Sequence, residues 1–161
     1  MHHHIRFSNK IVNILPLLLL SFIGHAQNGI DFTYTFEKHP WAENMIVVKA
    51  EITNNAARDL YFLSETCNGF DAYLKTNTIN ASVYSEIACE FSAPMKVEIQ
   101  SNSTHAFTTA ILLKDSVESL SLNLSLVALT ESSEVEGKSF GDFRSNDSFT
   151  KVKLKGPEIK I

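Results

Sequence analysis

Residues 120–126 have the sequence Leu-Ser-Leu-Asn-Leu-Ser-Leu, with leucine at every second position. Successive side chains of a β-strand point to opposite faces of the sheet, so a period of two produces one apolar face and one polar face. In a helix, the same residues would spread leucine around the whole surface. The stretch therefore predicts a β-strand whose leucines lie in a core.

The same period of two recurs along most of the chain. In residues 31–37, Phe32, Tyr34 and Phe36 alternate with polar residues, and no segment after residue 27 has helical periodicity over ten or more residues. Seven to nine short strands separated by polar turns indicate an all-β sandwich or barrel, and a two-sheet sandwich suits a domain of this size. The other predicted strands are 45–53, 60–63, 70–75, 83–91, 95–100, 107–113 and 150–155.

One stretch also resembles a known kind of domain. Residues 48–55, Val-Lys-Ala-Glu-Ile-Thr-Asn-Asn, are followed at 60–62 by Leu-Tyr-Phe. A strand that ends in an asparagine-rich turn before an apolar strand resembles the bacterial immunoglobulin-like sandwich domains of exported proteins. The resemblance implies a fold and no chemistry. The chain departs from antibody domains because Trp41 precedes both cysteines, and we expect Trp41 to pack in the core or at its rim.

The first 26 residues have the three-part organisation of a secretory signal peptide. Arg6 and Lys10 precede an apolar run at 11–23, and Gly24 and Ala26 place small residues at positions −3 and −1 of a cleavage site. A membrane-spanning helix is the alternative, but it needs about 20 apolar residues. We therefore expect residues 27–161 to form one β-sandwich domain that is exported, periplasmic or extracellular, and not stably inserted in a membrane after cleavage.

The chain is acidic, with 14 basic and 18 acidic residues and a net charge of −4. Two of the basic residues and none of the acidic ones lie before residue 27, so the exported part has a net charge of −6. Binding to nucleic acid depends on clustered lysine and arginine that neutralise phosphates. Since the sequence contains no basic cluster, we predict no nucleic-acid partner and attribute the charge to solubility.

Two cysteines, Cys67 and Cys89, lie in the predicted exported part. An even number of cysteines in an oxidising compartment indicates a disulfide. This bridge would close a loop of about 22 residues and stabilise the fold by about 3 kcal/mol through its effect on the unfolded chain. A nucleophilic thiol with a histidine partner is the alternative. Tetrahedral zinc spacing is absent, and we predict neither a metal nor a cofactor.

The segment Glu131–Ser148 lies between the last two predicted strands and is long for a loop in a compact domain. It is polar, but Phe140, Phe143 and Arg144 lie within it. Aromatic side chains beside an arginine are typical of protein-recognition anchors, so these three residues are the candidate partner-binding site. Two alternatives are a hairpin whose phenylalanines tuck onto the sandwich and a calcium site built from the acids, although no D-x-D-x-D-G loop is present.

No motif in the sequence specifies a reaction. The chain lacks a G-x-S-x-G elbow, and among 18 acids some pairs suited to glycoside cleavage arise by chance. We therefore predict a non-enzymatic binding or assembly module that recognises another protein through loops or through a sheet edge. A protease inhibitor of the β-sandwich type is the first alternative, and a small hydrolase is the second.

The disulfide hypothesis makes a mutational prediction. Cys67→Ala should lower the melting temperature while leaving partner binding intact in the cold, because the bridge acts mainly on the unfolded chain. Circular dichroism measures the first effect, and a binding assay at low temperature measures the second. An unchanged melting temperature together with loss of a chemical activity would instead identify Cys67 as a nucleophile.

Overall fold

The chain folds as an antiparallel β-sandwich in a computed structural model that describes residues 29–84, 91–144 and 149–161. The prediction of an all-β sandwich is confirmed. The strands are β1 (Ile30–Lys38), β2 (Met45–Asn54), β3 (Leu60–Glu65), β4 (Leu74–Thr76), β5 (Ala81–Tyr84), β6 (Pro94–Ile99), β7 (Ser103–Leu113), β8 (Ser119–Leu120), β9 (Leu122–Leu129), β10 (Lys151–Lys155) and β11 (Ile159–Lys160).

Two sheets contain most of these strands. The first sheet has the order β1-β2-β7-β5, and the second has the order β10-β9-β3-β6, with β4 also paired to β9. Every pairing is antiparallel, and β8 and β11 form a separate two-residue ladder. Strands β2 and β7 pair without interruption from Met45 with Leu112 to Asn54 with Ser103, so they form the continuous centre of the first sheet.

The core contains the two side-chain patterns that the sequence indicated. Leu120, Leu122, Leu124 and Leu126 are fully buried. The aromatic side chains of β1 also point inward, and their ring centroids follow one another at 5.5 and 5.2 Å. Complete burial of a leucine side chain stabilises a fold by about 1.5–3 kcal/mol, so this row of leucines is a large part of the driving force for closing the sandwich.

Tyr34 connects the two sheets through its hydroxyl group. The phenol oxygen accepts a hydrogen bond from the backbone N–H of Leu122 at 2.8 Å and donates one to the carbonyl of Pro157. Its ring lies against Gly156, where a β-carbon would collide with it. Burial, assisted by the charge of Glu158 and opposed by the Leu122 hydrogen bond, raises the pKa of Tyr34 to about 12. The phenol therefore stays protonated and keeps donating.

Asn54 is a second buried polar connection, at the opposite end of β1 and β2 from their hairpin turn. Its side chain is fully buried, and its Nδ2 donates to the carbonyls of Arg58 at 2.8 Å and Ile99 at 2.9 Å. Its Oδ1 accepts from the N–H of Ala56 at 2.9 Å. These bonds tie the end of β2 in the first sheet to the start of β3 and the end of β6 in the second.

The structure corrects the predicted strand at 70–75. Residues Asp71–Tyr73 form a 3-10 helix, and only Leu74–Thr76 is a strand. The Asp71 N–H donates to the Asn68 carbonyl at 2.9 Å, and the Tyr73 N–H donates to the Phe70 carbonyl at 3.0 Å. These local turn bonds compete with a sheet ladder, and the alternation of apolar and polar residues cannot reveal them.

The two sheets of the sandwich contain nine strands, which agrees with the predicted seven to nine. Eleven strands occur in the described residues, because β8 and β11 form a further ladder of two residues each, too short for periodicity to detect. The predicted strand at 120–126 is divided at Ser121 into β8 and β9. Of the predicted strand at 83–91, residues 85–90 lie outside the described residues.

Asn54→Ala should reduce the free energy of unfolding by about 2–4 kcal/mol, since it leaves buried backbone groups without their partners. Asn55→Ala is the matched control: its side chain makes only an exposed contact, with Asp31 at 2.7 Å, and should cost less than about 1 kcal/mol. Urea unfolding measures both values. Equal losses in the two variants would show that the Asn54 bonds do not hold the sheets together.

Candidate functional site

Two of the three predicted loop residues, Phe140 and Phe143, contribute to the core in the structure. Phe143 is 1% exposed and packs on Phe149 with a centroid distance of 5.4 Å, and Phe140 is half-buried against the core. This is the alternative in which both rings tuck onto the sandwich. The side chain of Arg144 lies outside the described part. Binding of a partner by this loop stays a prediction, but Phe143 does not present its ring for it in this conformation.

A short helix, α1 (Phe140–Arg144), explains why the loop turns inward. The N–H and hydroxyl of Ser139 donate to the Asp142 carboxylate at 2.8 and 2.9 Å, which is the half of a helix-capping box in which the acid accepts from the N-cap N–H. These hydrogen bonds, the backbone one first, lower the pKa of Asp142. The acid therefore caps the helix, and this local role accounts for its place in the loop.

The two cysteines differ in what the structure describes. Cys67 is not a free thiol, and it lies on a loop just after β3. Cys89 falls in the segment 85–90, outside the described residues, so its pairing with Cys67 stays a prediction.

In residues 29–84, 91–144 and 149–161, no group of three or more potential metal ligands is assembled. The same ranges hold no helix with the length and hydropathy needed to cross a bilayer.

Trp41 does not pack as expected. It is 90% exposed in the turn between β1 and β2, where its backbone N–H donates to His39 Nδ1 at 3.3 Å. Ile79, in the turn before β5, is 89% exposed. Both turns lie at the same end of the first sheet. The N–H of residue 113 donates to the Asn44 carbonyl in one turn, and the N–H of the next residue donates to the Asn80 carbonyl in the other. Sequence position alone does not indicate this exposure.

A cleft of about 480 Å³ lies beside β7, next to the end of β5. Its lining comes from β2, β5, β7 and the segment 67–71, which includes the start of the 3-10 helix. Phe70 forms a fixed wall, because its buried ring contacts Phe107 at 5.7 Å and His105 edge-on at 5.2 Å. Burial lowers the pKa of His105. The lining residues are His39, Val47, Cys67–Asp71, Tyr84 and Phe107–Ala110.

Asp71 is the acidic residue of this cleft, and it is half-buried. Burial raises the pKa of Asp71, and interaction with the Thr109 hydroxyl opposes this effect. Thr109 is itself buried, and no described residue lies within normal hydrogen-bond geometry of its hydroxyl. Neither lysine nor arginine occurs among the lining residues. Sequence reasoning missed this site because it treated Asp71 as part of a strand.

The edges of the two sheets differ in how well they are protected. Strand β10 has lysine at 151, 153 and 155, strand β6 begins with Pro94, and β5 has only four residues. Lysine, proline and short length are the devices that prevent pairing at an edge. Strand β1 has nine residues, pairs with β2 in an unbroken register from 30 to 38, and contains neither proline nor a bulge. No other described strand pairs with it.

Comparisons with known proteins add little to these observations. No family model matches the chain, and no curated protein matches it. A solved structure titled "Crystal structure of FixG-related protein from Vibrio parahaemolyticus" is similar with a TM-score of 0.37 and 6% sequence identity. The match covers 81% of this chain and 96% of that chain. A likeness at this level carries no argument about function.

Asp71→Asn should change the pH dependence of stability. Because the pKa of Asp71 is raised by folding, its ionisation opposes folding, and the wild-type protein loses stability as the pH rises through the folded value. At neutral pH the variant should therefore be at least as stable as the wild type, and its advantage should shrink toward pH 3. Urea unfolding across this range tests the sign. A stability difference that does not vary with pH would contradict it.

Proposed function

We propose that this protein is an exported, non-enzymatic binding or assembly module that recognises another protein by adding one of that protein's strands to β1. The observation that carries the proposal is the free edge of β1, which has nine residues and a lysine only at its last position, Lys38. The other edges are shorter or better protected: β5 has four residues, β6 begins with proline, and β10 carries three lysines. Such an edge offers a row of backbone donors and acceptors for strand addition.

The occupant that we propose is a strand of a different protein rather than a second copy of this chain. The outer face of β1 carries Asp31 and Glu37 near its two ends and Thr33 and Thr35 between them. Antiparallel self-pairing of all nine residues would be centred on Tyr34 and would place Asp31 of one copy opposite Glu37 of the other. Like charges directly opposite each other destabilise a sheet. A partner strand with lysine or arginine at these positions and β-branched residues between them fits better.

We also propose that the sandwich is immunoglobulin-like. Support comes from the strand order: β1, β2, β7 and β5 correspond to strands A, B, E and D of a constant-type domain, and β3, β9 and β10 correspond to C, F and G. Their order along the chain also agrees with A to G. Strand β6 departs from this pattern, because it adds to β3 after β5 has joined the first sheet.

The test compares two ways of adding positive charge to the first sheet. Thr33→Lys combined with Thr35→Lys places lysine on the free edge, where it should reduce capture of a partner from an exported-protein extract at least tenfold. The matched control is Ala106→Lys, at an exposed position of the interior strand β7 opposite Glu51, and should capture as the wild type does. Amides of β1 that face the free edge should gain protection from hydrogen exchange when the captured protein is added.

Two results would count against strand addition. One is equal capture by the double variant and the wild type. The other is a captured partner that leaves every β1 amide exchanging as before, which would assign recognition to another surface. Circular dichroism of each variant checks that the sandwich is intact, since both threonines are exposed and their replacement leaves the core unchanged.

A further inference from the structure

The cleft beside β7 places one carboxylate among apolar walls. Asp71 is half-buried there, and the rings of Tyr84 and Phe107 line the same space. Its volume of about 480 Å³ falls within the range of small-ligand sites, which are mostly apolar with few polar groups placed to fix orientation. The arrangement therefore has the composition of a binding site rather than that of a packing defect.

The backbone that carries the carboxylate is ordered by local contacts. Asp71 begins the 3-10 helix, and its N–H donates to the Asn68 carbonyl at 2.9 Å. The neighbouring Phe70 is anchored between β7 side chains, with its ring against Phe107 and His105. Since these contacts fix the backbone at Asp71 and at the residue before it, little backbone ordering would be required when a ligand binds.

Among the described residues, the lining of the cleft contains neither lysine nor arginine beside this carboxylate, and its one other basic side chain is His39. A half-buried carboxylate without a cation costs stability, because burial removes part of its hydration. A cation that enters the cleft would recover that cost through charge attraction in a partly dehydrated space.

We propose that the cleft binds an organic cation, an amine or a guanidinium group, with Asp71 as its counter-ion and with Tyr84 and Phe107 along its apolar part. Aromatic rings suit this role, because a cation is attracted to their faces and an alkyl chain packs against them. The cation can come from a free small molecule or from a lysine or arginine side chain of another protein. This site is separate from the β1 edge, so the two proposals can fail independently.

The experiment uses pentylamine and 1-pentanol, which have the same chain length and differ in charge. Isothermal titration of the whole exported chain should show saturable binding of pentylamine and at least tenfold weaker binding of pentanol. Asp71→Asn should bind the amine no better than the alcohol while keeping or raising the melting temperature. The matched control is Asp115→Asn, at an exposed acid outside the cleft, and should bind the amine as the wild type does.

A second arm identifies the source of the cation. A lysine-containing peptide capped at both ends is titrated beside pentylamine. Tenfold tighter binding of the peptide would identify a protein side chain as the source of the cation. Equal or weaker binding of the peptide would identify a small molecule. The proposal is overturned if amine and alcohol bind equally, if Asp71→Asn retains amine binding, or if neither the amine nor the peptide binds saturably. Because Asp71→Asn is expected to stay folded, its loss of binding cannot be attributed to unfolding.

Discussion

The two sheets have to bury their apolar faces against each other while every polar group that enters the core keeps a hydrogen-bond partner. Tyr34 meets this requirement in the middle of β1, where its phenol serves both the N–H of Leu122 and the carbonyl of Pro157. Asn54 meets it at the far end of β2, where its side-chain amide bonds backbone groups of the turn before β3 and the last residue of β6. The leucines of β9 drive closure, and these two side chains fix how the closed sheets are aligned.

The long strands could be predicted from sequence because burial on one face imposes a period of two, as in the leucines of 120–126 and the aromatic residues of β1. Local hydrogen bonds between backbone groups leave no such period, which is why the 3-10 helix at Asp71–Tyr73 was assigned to a strand. Phe143 was assigned to a partner surface for a related reason: an apolar residue in a polar loop has the same sequence signature whether it faces solvent or folds back onto the core.

The cleft and the free edge are harder to foresee, since both depend on which segments meet. The cleft combines residues from 39 to 110 that only the sheet order brings together. Whether a strand lies at an edge is likewise a property of topology, and the clear alternation of β1 does not reveal that it lies at an edge while β2 is interior. Asp71 is half-buried, and its burial opposes ionisation, so the carboxylate lowers the stability of the fold when no ligand is bound. Groups that suit a ligand often reduce stability in this way.

A free sheet edge can also pair with the same edge of a second copy of the protein. The backbone edge of β1 is free to pair with another strand, and the acids near its two ends oppose pairing of two copies in the register that joins the most residues. Salt screens exposed charges over distances of about 8 Å at physiological ionic strength. Added salt should therefore weaken the repulsion between two β1 edges in this register, so that pairing of two copies becomes more favourable as the ionic strength rises.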